Sequence, residues 1–225
     1  TGTKPVYRLK LASGREVKAT ANHKFLTYEG WVALGELEIG KRIGVPRHVP
    51  APEQETEWDD RKVIMLAHLL GDGSFVKRQP LRYASVDEDN LRVVGDAATA
   101  FGITPVRDEY AVARCTTLRL PAPHRLTHGK RNPLAAWLDD LGLFGLRSYE
   151  KYIPEAIYSL PKRQIALFLR HLWATDGSIV LHPNGRSGRV YYATTSRRLA
   201  DGVANLLLRF GIDARIHSAT KAGYR

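Results

Sequence analysis

The feature that most constrains this chain is a long internal repeat. One copy opens at Leu69 with LLGDGSFV and continues through RYASVDEDNLRVVGDAATAFGITPV. The other opens at Trp173 with WATDGSIV and continues through VYYATTSRRLADGVANLLLRFGIDARI. Each copy reads as an apolar helix, Asp-Gly-Ser, a strand with Tyr-Ala-Ser/Thr, and a helix closing on Phe-Gly-Ile. Asp72 matches Asp176, an offset of 176 − 72 = 104, while Phe101-Gly102-Ile103 matches Phe210-Gly211-Ile212, so the second copy is slightly longer. A unit of this length is too long for a solenoid. It predicts two similar half-domains about a pseudo-two-fold axis.

Around the repeat the chain falls into three zones. Residues 1–50 alternate in VYRLKL and REVKAT about a turn at Ser13-Gly14, which predicts short strands in a hairpin. Gly30, Gly35, Gly40 and Gly44 then favour turns over a long helix. The stretch PRHVPAPEQETEWDD, with three prolines followed by acidic residues, reads as a linker and boundary, placed at residues 51–60. From residue 61 onward helix and strand patterns mix, with a first half over about 61–150 and a second over about 151–225. Helices are predicted at RKVIMLAHLLG, DEDNLRVVGDAATAFG, NPLAAWLDDLG, PKRQIALFLRHLWATDG and SRRLADGVANLLLRFG, with strands at RCTTLRL and GRVYYATT between them. The fold class is α+β.

The formal net charge of +11 points to a polyanionic partner, for which nucleic acid is the usual candidate. The basic residues are scattered, which suits a broad surface tracking phosphates better than a basic tail. Cys115 is the one cysteine, so no intramolecular disulfide can form, and a reducing, cytoplasmic setting is expected. No apolar run is long enough to span a membrane, and the first residues lack the apolar core of a signal peptide.

The repeat places an apolar helix ending in Asp-Gly twice, at Asp72-Gly73 and Asp176-Gly177. Both helices are apolar around most of their surface and are expected to be buried on all sides. Gly73 and Gly177 suit the left-handed turn that closes a helix. Packed side by side, the helices bring two carboxylates together with unpaired carbonyls and the negative ends of two dipoles. A hard divalent cation, by preference Mg²⁺, relieves that concentration of charge. Such a pair suits phosphodiester cleavage. A lone Asp-Gly is an ordinary turn pair; two in matched repeats on a basic chain are a different matter.

The two segments resemble the paired motifs of LAGLIDADG homing endonucleases, in the form found inside inteins. The resemblance covers most of residues 61–225. It implies an αββαββα half-fold used twice, the second copy truncated here, with a curved antiparallel saddle over double-stranded DNA. It implies that Asp72 and Asp176 hold Mg²⁺, helped by the carbonyls of Gly71 and Thr175. LFGLRSYEKYIP resembles the Lys-x-Ile-Pro segment of intein endonucleases, which gives Lys151 the role of ordering water near the scissile phosphate. Candidate DNA contacts on the saddle strands are Lys77, Arg78, Arg82, Arg114, Arg119, Arg186, Arg189 and Tyr191. A two-repeat enzyme of this type is expected to act as a monomer. Two departures stand out. Ala67 keeps the small residue of the helix crossing, but His171 stands where glycine is usual; it implies a wider crossing, a hydrogen bond to His68, or an endonuclease that has lost activity and only binds DNA. A second lysine is expected in the second half, and Lys221 matches its position poorly.

In the first zone, GREVKATANHKFLT carries Thr20-x-x-His23 after a strand. A threonine and histidine so spaced can bracket one peptide bond, His protonating the leaving nitrogen and Thr bonding the amide; a polar turn gives the same letters. The stretch, with Gly30-Trp31, Leu34, Leu37, Gly40, Ile43 and Pro46-Arg47 after it, resembles the splicing motif of inteins. That implies the start of an all-β Hint-type splicing domain in which Thr20 and His23 promote the acyl shift at the upstream junction without a cofactor, with flanking host polypeptide as partner. The order of parts is similar to inteins of bacterial replicative DNA helicases. Both splicing ends are expected outside these residues.

Overall fold

The computed structural model describes residues 2–108, 115–127, 129–181, 185 and 187–220. The chain forms two compact units, Thr1–Pro50 with Ala204–Arg225, and Ala51–Val203. Residues 204–225, read in sequence with the third zone, therefore group with the first. Among the described residues no helix is long and apolar enough to cross a membrane.

The first unit begins with β1 (Val6–Lys10) and β2 (Glu16–Thr20), an antiparallel hairpin with Leu9 opposite Val17. Its turn needs glycine at position 14 twice over. Gly14 has φ +82°, and an added Cβ would overlap the carbonyl of Ile216. Ile216 donates its N–H to Ser13 O at 2.7 Å, and Arg15 pairs with Asp213 at 2.8 Å, so the returning chain is fastened to this turn. A second hairpin, β3 (Lys24–Thr27) and β4 (Gly30–Ala33), follows; the glycine spacing predicts turns here but not this pairing.

The second unit opens with α1 (Asp60–Asp72), β5 (Gly73–Ser74), β6 (Arg82–Ser85), α2 (Glu88–Ala98), β7 (Val106–Asp108), β8 (Thr116–Arg119) and α3 (Pro133–Asp140). This is the αββαββα order. The strands form one antiparallel sheet in the order β5-β6-β8-β7. Short polar side chains start the helices: Asp59 accepts from Arg61 N, Asp87 from Asp89 N and Asn90 N, and Asn132 from Leu134 N ahead of Pro133. A one-turn helix, α4 (Glu155–Tyr158), precedes α5 (Lys162–Asp176), β9 (Gly177–Leu181), β10 (Gly188–Tyr192) and α6 (Arg197–Leu207), whose last residues group with the first unit.

The segments after the two Asp-Gly helix ends correspond at several points. Gly73 lies opposite Tyr83 and Gly177 opposite Tyr192. A 3₁₀ turn follows both α2 and α6, each closed by a left-handed glycine, Gly102 (φ 64°) and Gly211 (φ 71°). They differ in cover. α1 buries seven of eight residues from Val63 to Leu70, as its composition predicts. The expectation for α5 needs correction: it buries Gln164, Ile165, Phe168, Leu169 and Leu172, one face, while Ala166, Arg170 and Ala174 are exposed. The first copy packs a four-stranded sheet and further helices around α1; among the described residues the second has the two-stranded β9–β10.

Candidate functional site

α1 and α5 run parallel and in register. Asp60 accepts from Gln164 Nε2 at 2.7 Å near their N-terminal ends, His68 meets His171 midway, and Gly71 faces Thr175 near their C-terminal ends. The offsets are 104, 103 and 104, so Asp72 and Asp176 finish at the same level of the pair. The approach at the end is close: a Cβ on Gly71 would overlap the Thr175 side chain. Complementary sizes make it possible. Gly71 stands across from Thr175, and the residue matched to His171 by the 104 offset is Ala67. The large member lies on α5 each time, which accommodates a histidine where a glycine was expected. The interface hydrogen bond also forms, with His68 Nε2 and His171 Nδ1 3.1 Å apart.

Gly73 and Gly177 are required, but not for the reason the sequence suggests. Their backbones are extended, at φ −82°, ψ 150° and φ −81°, ψ 154°, so no left-handed turn is present. Instead, a Cβ at Gly73 would meet the Leu69 backbone and one at Gly177 the Trp173 carbonyl and ring. The strand leaves so steeply over the last helical turn that only hydrogen fits.

Both carboxylates are open to solvent on one side and crowd the helix pair on the other. Burial, then the neighbouring Asp176, pushes the Asp72 pKa up to about 6, with Lys151 pulling it back. Burial also raises Asp176, again opposed by Lys151. Burial is thus the main cause at both acids, with the Lys151 ammonium compensating part of it.

Lys151 is buried and its Nζ donates to four main-chain carbonyls: Leu69 at 2.8 Å, Leu70 at 3.1 Å, Gly71 at 3.1 Å and Gly73 at 2.9 Å. It closes the carbonyl end of α1, where a cation opposes the helix dipole. Burial draws its pKa down to about 8, while Asp176 and Asp72 hold it up, so it is an ammonium at neutral pH. Its own carbonyl accepts from Ser196 Oγ at 2.5 Å, which also accepts from Leu199 N. The start of α6 thereby sets the Lys-x-Ile-Pro segment in place. At the end of α5 the partner is neutral: Asn90 Nδ2 donates to Ala174 O at 3.0 Å. Asn90 was not singled out in the sequence, where it reads as an ordinary residue of the first turn of α2.

The donor set fits a hard cation. Two carboxylates are the oxygen ligands Mg²⁺ takes from protein when water completes its shell, and the Gly71 carbonyl, which already accepts from Lys151 Nζ, has a second lone pair to add.

The candidate DNA contacts divide by sheet face. Arg82 and Arg119 lie directly opposite one another on β6 and β8, on the face away from buried Tyr83 and Leu118. Arg119 Nε donates to Asp108 at 2.5 Å, and that bond holds the Asp108 carboxyl below its usual range. Arg189 and Tyr191 stand exposed on one face of β10. Lys77 and Arg78 occupy the exposed turn after β5, where Arg78 takes φ +64°. Arg114, Arg186 and Lys221 lie outside the described residues. Thr20 ends β2 and His23 lies in the next turn, joined by His23 N–H to Thr20 O at 3.0 Å. His23 is exposed and packs edge-on against Phe25.

Residues 163–225 match the model of the LAGLIDADG-like domain, which supports a DNA-binding module of the homing-endonuclease type in this part of the chain. Curated relatives align over nearly the whole chain. The replicative DNA helicase DnaB of Nostoc sp. (strain PCC 7120) is 44% identical over 99% of this chain and 26% of that protein. The protein RecA of Mycobacterium tuberculosis (strain H37Rv) is 30% identical over 96% of this chain and 27% of that protein. A DNA gyrase subunit of Mycobacterium leprae is 25% identical over 100% of this chain and 18% of that protein. The chain thus spans about a quarter or less of the length of these relatives.

Proposed function

We propose that this chain is part of an intein: a self-splicing element carrying a Mg²⁺-dependent, site-specific double-strand DNA endonuclease, active as a monomer on the intein-less host gene. One observation carries the nuclease: two parallel helices in register, with Asp72 and Asp176 ending at one level, where burial raises both carboxyl pKa values. The splicing element is supported by similarity that follows the segment rather than the surrounding protein. Essentially this whole chain aligns inside a helicase DnaB, a RecA and a gyrase, three proteins of different names. A part of a helicase's own machinery would not recur so; an inserted element would. The similarity to helicase DnaB makes that protein the proposed host.

In this reading Asp72 and Asp176, with the carbonyls of Gly71 and Thr175, hold the metal. Bound Mg²⁺ supplies a nucleophilic water and charge neutralisation at the phosphate. Lys151 keeps the end of α1 fixed and its carbonyl charge balanced, and acts through that scaffold. Arg82, Arg119, Arg189 and Tyr191 face outward from the strands toward DNA, with Lys77 and Arg78 at the turn; their phosphate contacts position the duplex and their base contacts specify it. Thr20 and His23, in the hairpin region of the first unit, serve the upstream splice junction, Thr20 bonding the scissile amide and His23 protonating its nitrogen.

The test uses the complete element within a short stretch of host sequence, incubated with intein-less target plasmid and Mg²⁺ while spliced product is followed on a gel. Asp72→Asn/Asp176→Asn is expected to lose cleavage and keep splicing; Thr20→Ala/His23→Ala is expected to do the reverse. Wild type that splices but never cuts would leave a splicing element with a lapsed, DNA-binding endonuclease.

A further inference from the structure

A single chain of hydrogen bonds crosses the helix pair. Tyr83 Oη lies 3.0 Å from His68 Nδ1, and His68 Nε2 lies 3.1 Å from His171 Nδ1. Tyr83 and His68 are fully buried. Burial holds both imidazoles below their usual pKa and Tyr83 above its own, so all three are neutral. The direction follows from the buried phenol, whose O–H has His68 Nδ1 as its partner: Tyr83 donates to His68 Nδ1, and His68 Nε2–H to His171 Nδ1, leaving the His171 proton on Nε2. The second copy has no counterpart, because Leu172 stands where the 104 offset would place a partner of His68.

Apolar side chains do not define the rotation of one helix about another sharply, since burial is non-directional. A directed bond from the buried His68 nitrogen does, because rotation would strand a desolvated donor. The chain ends close to the carboxylates: Tyr83 is the register partner of Gly73, the residue after Asp72, and His171 lies five residues before Asp176. We propose that Tyr83, His68 and His171 are positioning residues that lock α5 against α1 and so set the separation of Asp72 and Asp176. The inference rests on the nuclease reading for its consequence, but not for its geometry.

The test uses the complete element, ¹⁵N-labelled for long-range imidazole spectra and ¹³C-labelled for the Asp72 and Asp176 carboxyl groups. Wild type should show His68 and His171 as neutral Nε2–H tautomers, and Tyr83→Phe should abolish that preference at His68. A charged His68, or an Nδ1–H tautomer, would overturn the chain. His171→Leu removes the acceptor; His171→Gln keeps one. Leu should shift both carboxyl resonances and lower kcat for cleavage about tenfold at unchanged KM for DNA, with Gln restoring most of both. Equal effects of Leu and Gln would reduce His171 to filling space. If wild type cuts no DNA, the nuclease reading fails while the carboxyl shifts still decide the positioning claim.

Discussion

The two Asp-Gly helix ends share a sequence pattern and a backbone, yet they are held by different chemistry. At the end of α1 the Lys151 ammonium engages four carbonyls. At the end of α5 the Asn90 amide engages one, Ala174, and Thr175 folds its hydroxyl back onto Leu172 O at 2.6 Å. One end therefore has a buried cation against its dipole and the other has neutral donors. Duplication of a motif copies its main chain; the charge around it is supplied by residues from elsewhere in the fold and diverges freely.

Breaking the cationic end should have the largest effect. Lys151→Met leaves four carbonyls without their donor and should cost about 3–5 kcal/mol, the usual range for removing one partner of a buried charged contact. Urea unfolding followed by tryptophan fluorescence reads it, since Trp58, Trp137 and Trp173 all lie in the second unit.

Acid titration separates the carboxylates from the histidine beneath them. The Asp72 pKa is raised from 3.8 to about 6, so between those values the folded chain binds more protons and stability falls as pH rises. The His68 pKa is lowered from 6.5 to about 4, so the unfolded chain binds more protons in that window and stability rises with pH. The slopes oppose one another. Asp72→Asn/Asp176→Asn should expose the histidine slope, a gain of up to about 3 kcal/mol between pH 4 and 6.5. A variant whose stability stays flat across that range would contradict a neutral, buried His68.

Overpacking the close approach comes next. Gly71→Ala drives a methyl group into Thr175 and should cost about 2 kcal/mol, with Thr175→Ser in the same chain recovering part of it as the Cγ2 methyl is removed. The neutral end should be the mildest. Asn90→Ala removes one hydrogen bond and is expected to cost about 1 kcal/mol by the same unfolding measurement. Equal losses from Lys151→Met and Asn90→Ala would erase the distinction between the two ends.

Much of this was legible in the amino-acid order. The helices over 61–71, 87–102, 132–142, 161–177 and 196–211 are present because their caps and apolar spacing are local properties. The paired Asp-Gly ends were legible because the repeat doubles a signal that is weak alone. Cover was not: α5 reads as apolar as α1, but burial depends on what packs around a helix, and β9–β10 is a smaller sheet than β5-β6-β8-β7.

By itself, then, the sequence determined the periodicities, the two-copy layout, the two acidic helix ends and the basic charge, all of which are written along the chain at short range or as repetition. Tertiary structure alone decided that Gly73 and Gly177 are needed for space rather than for φ, that Lys151 closes a helix 80 residues away, and that His171 meets His68 across the helix pair. Each of these turns on which atoms come within a few ångströms of one another, and the packing of α1 against α5 sets those distances.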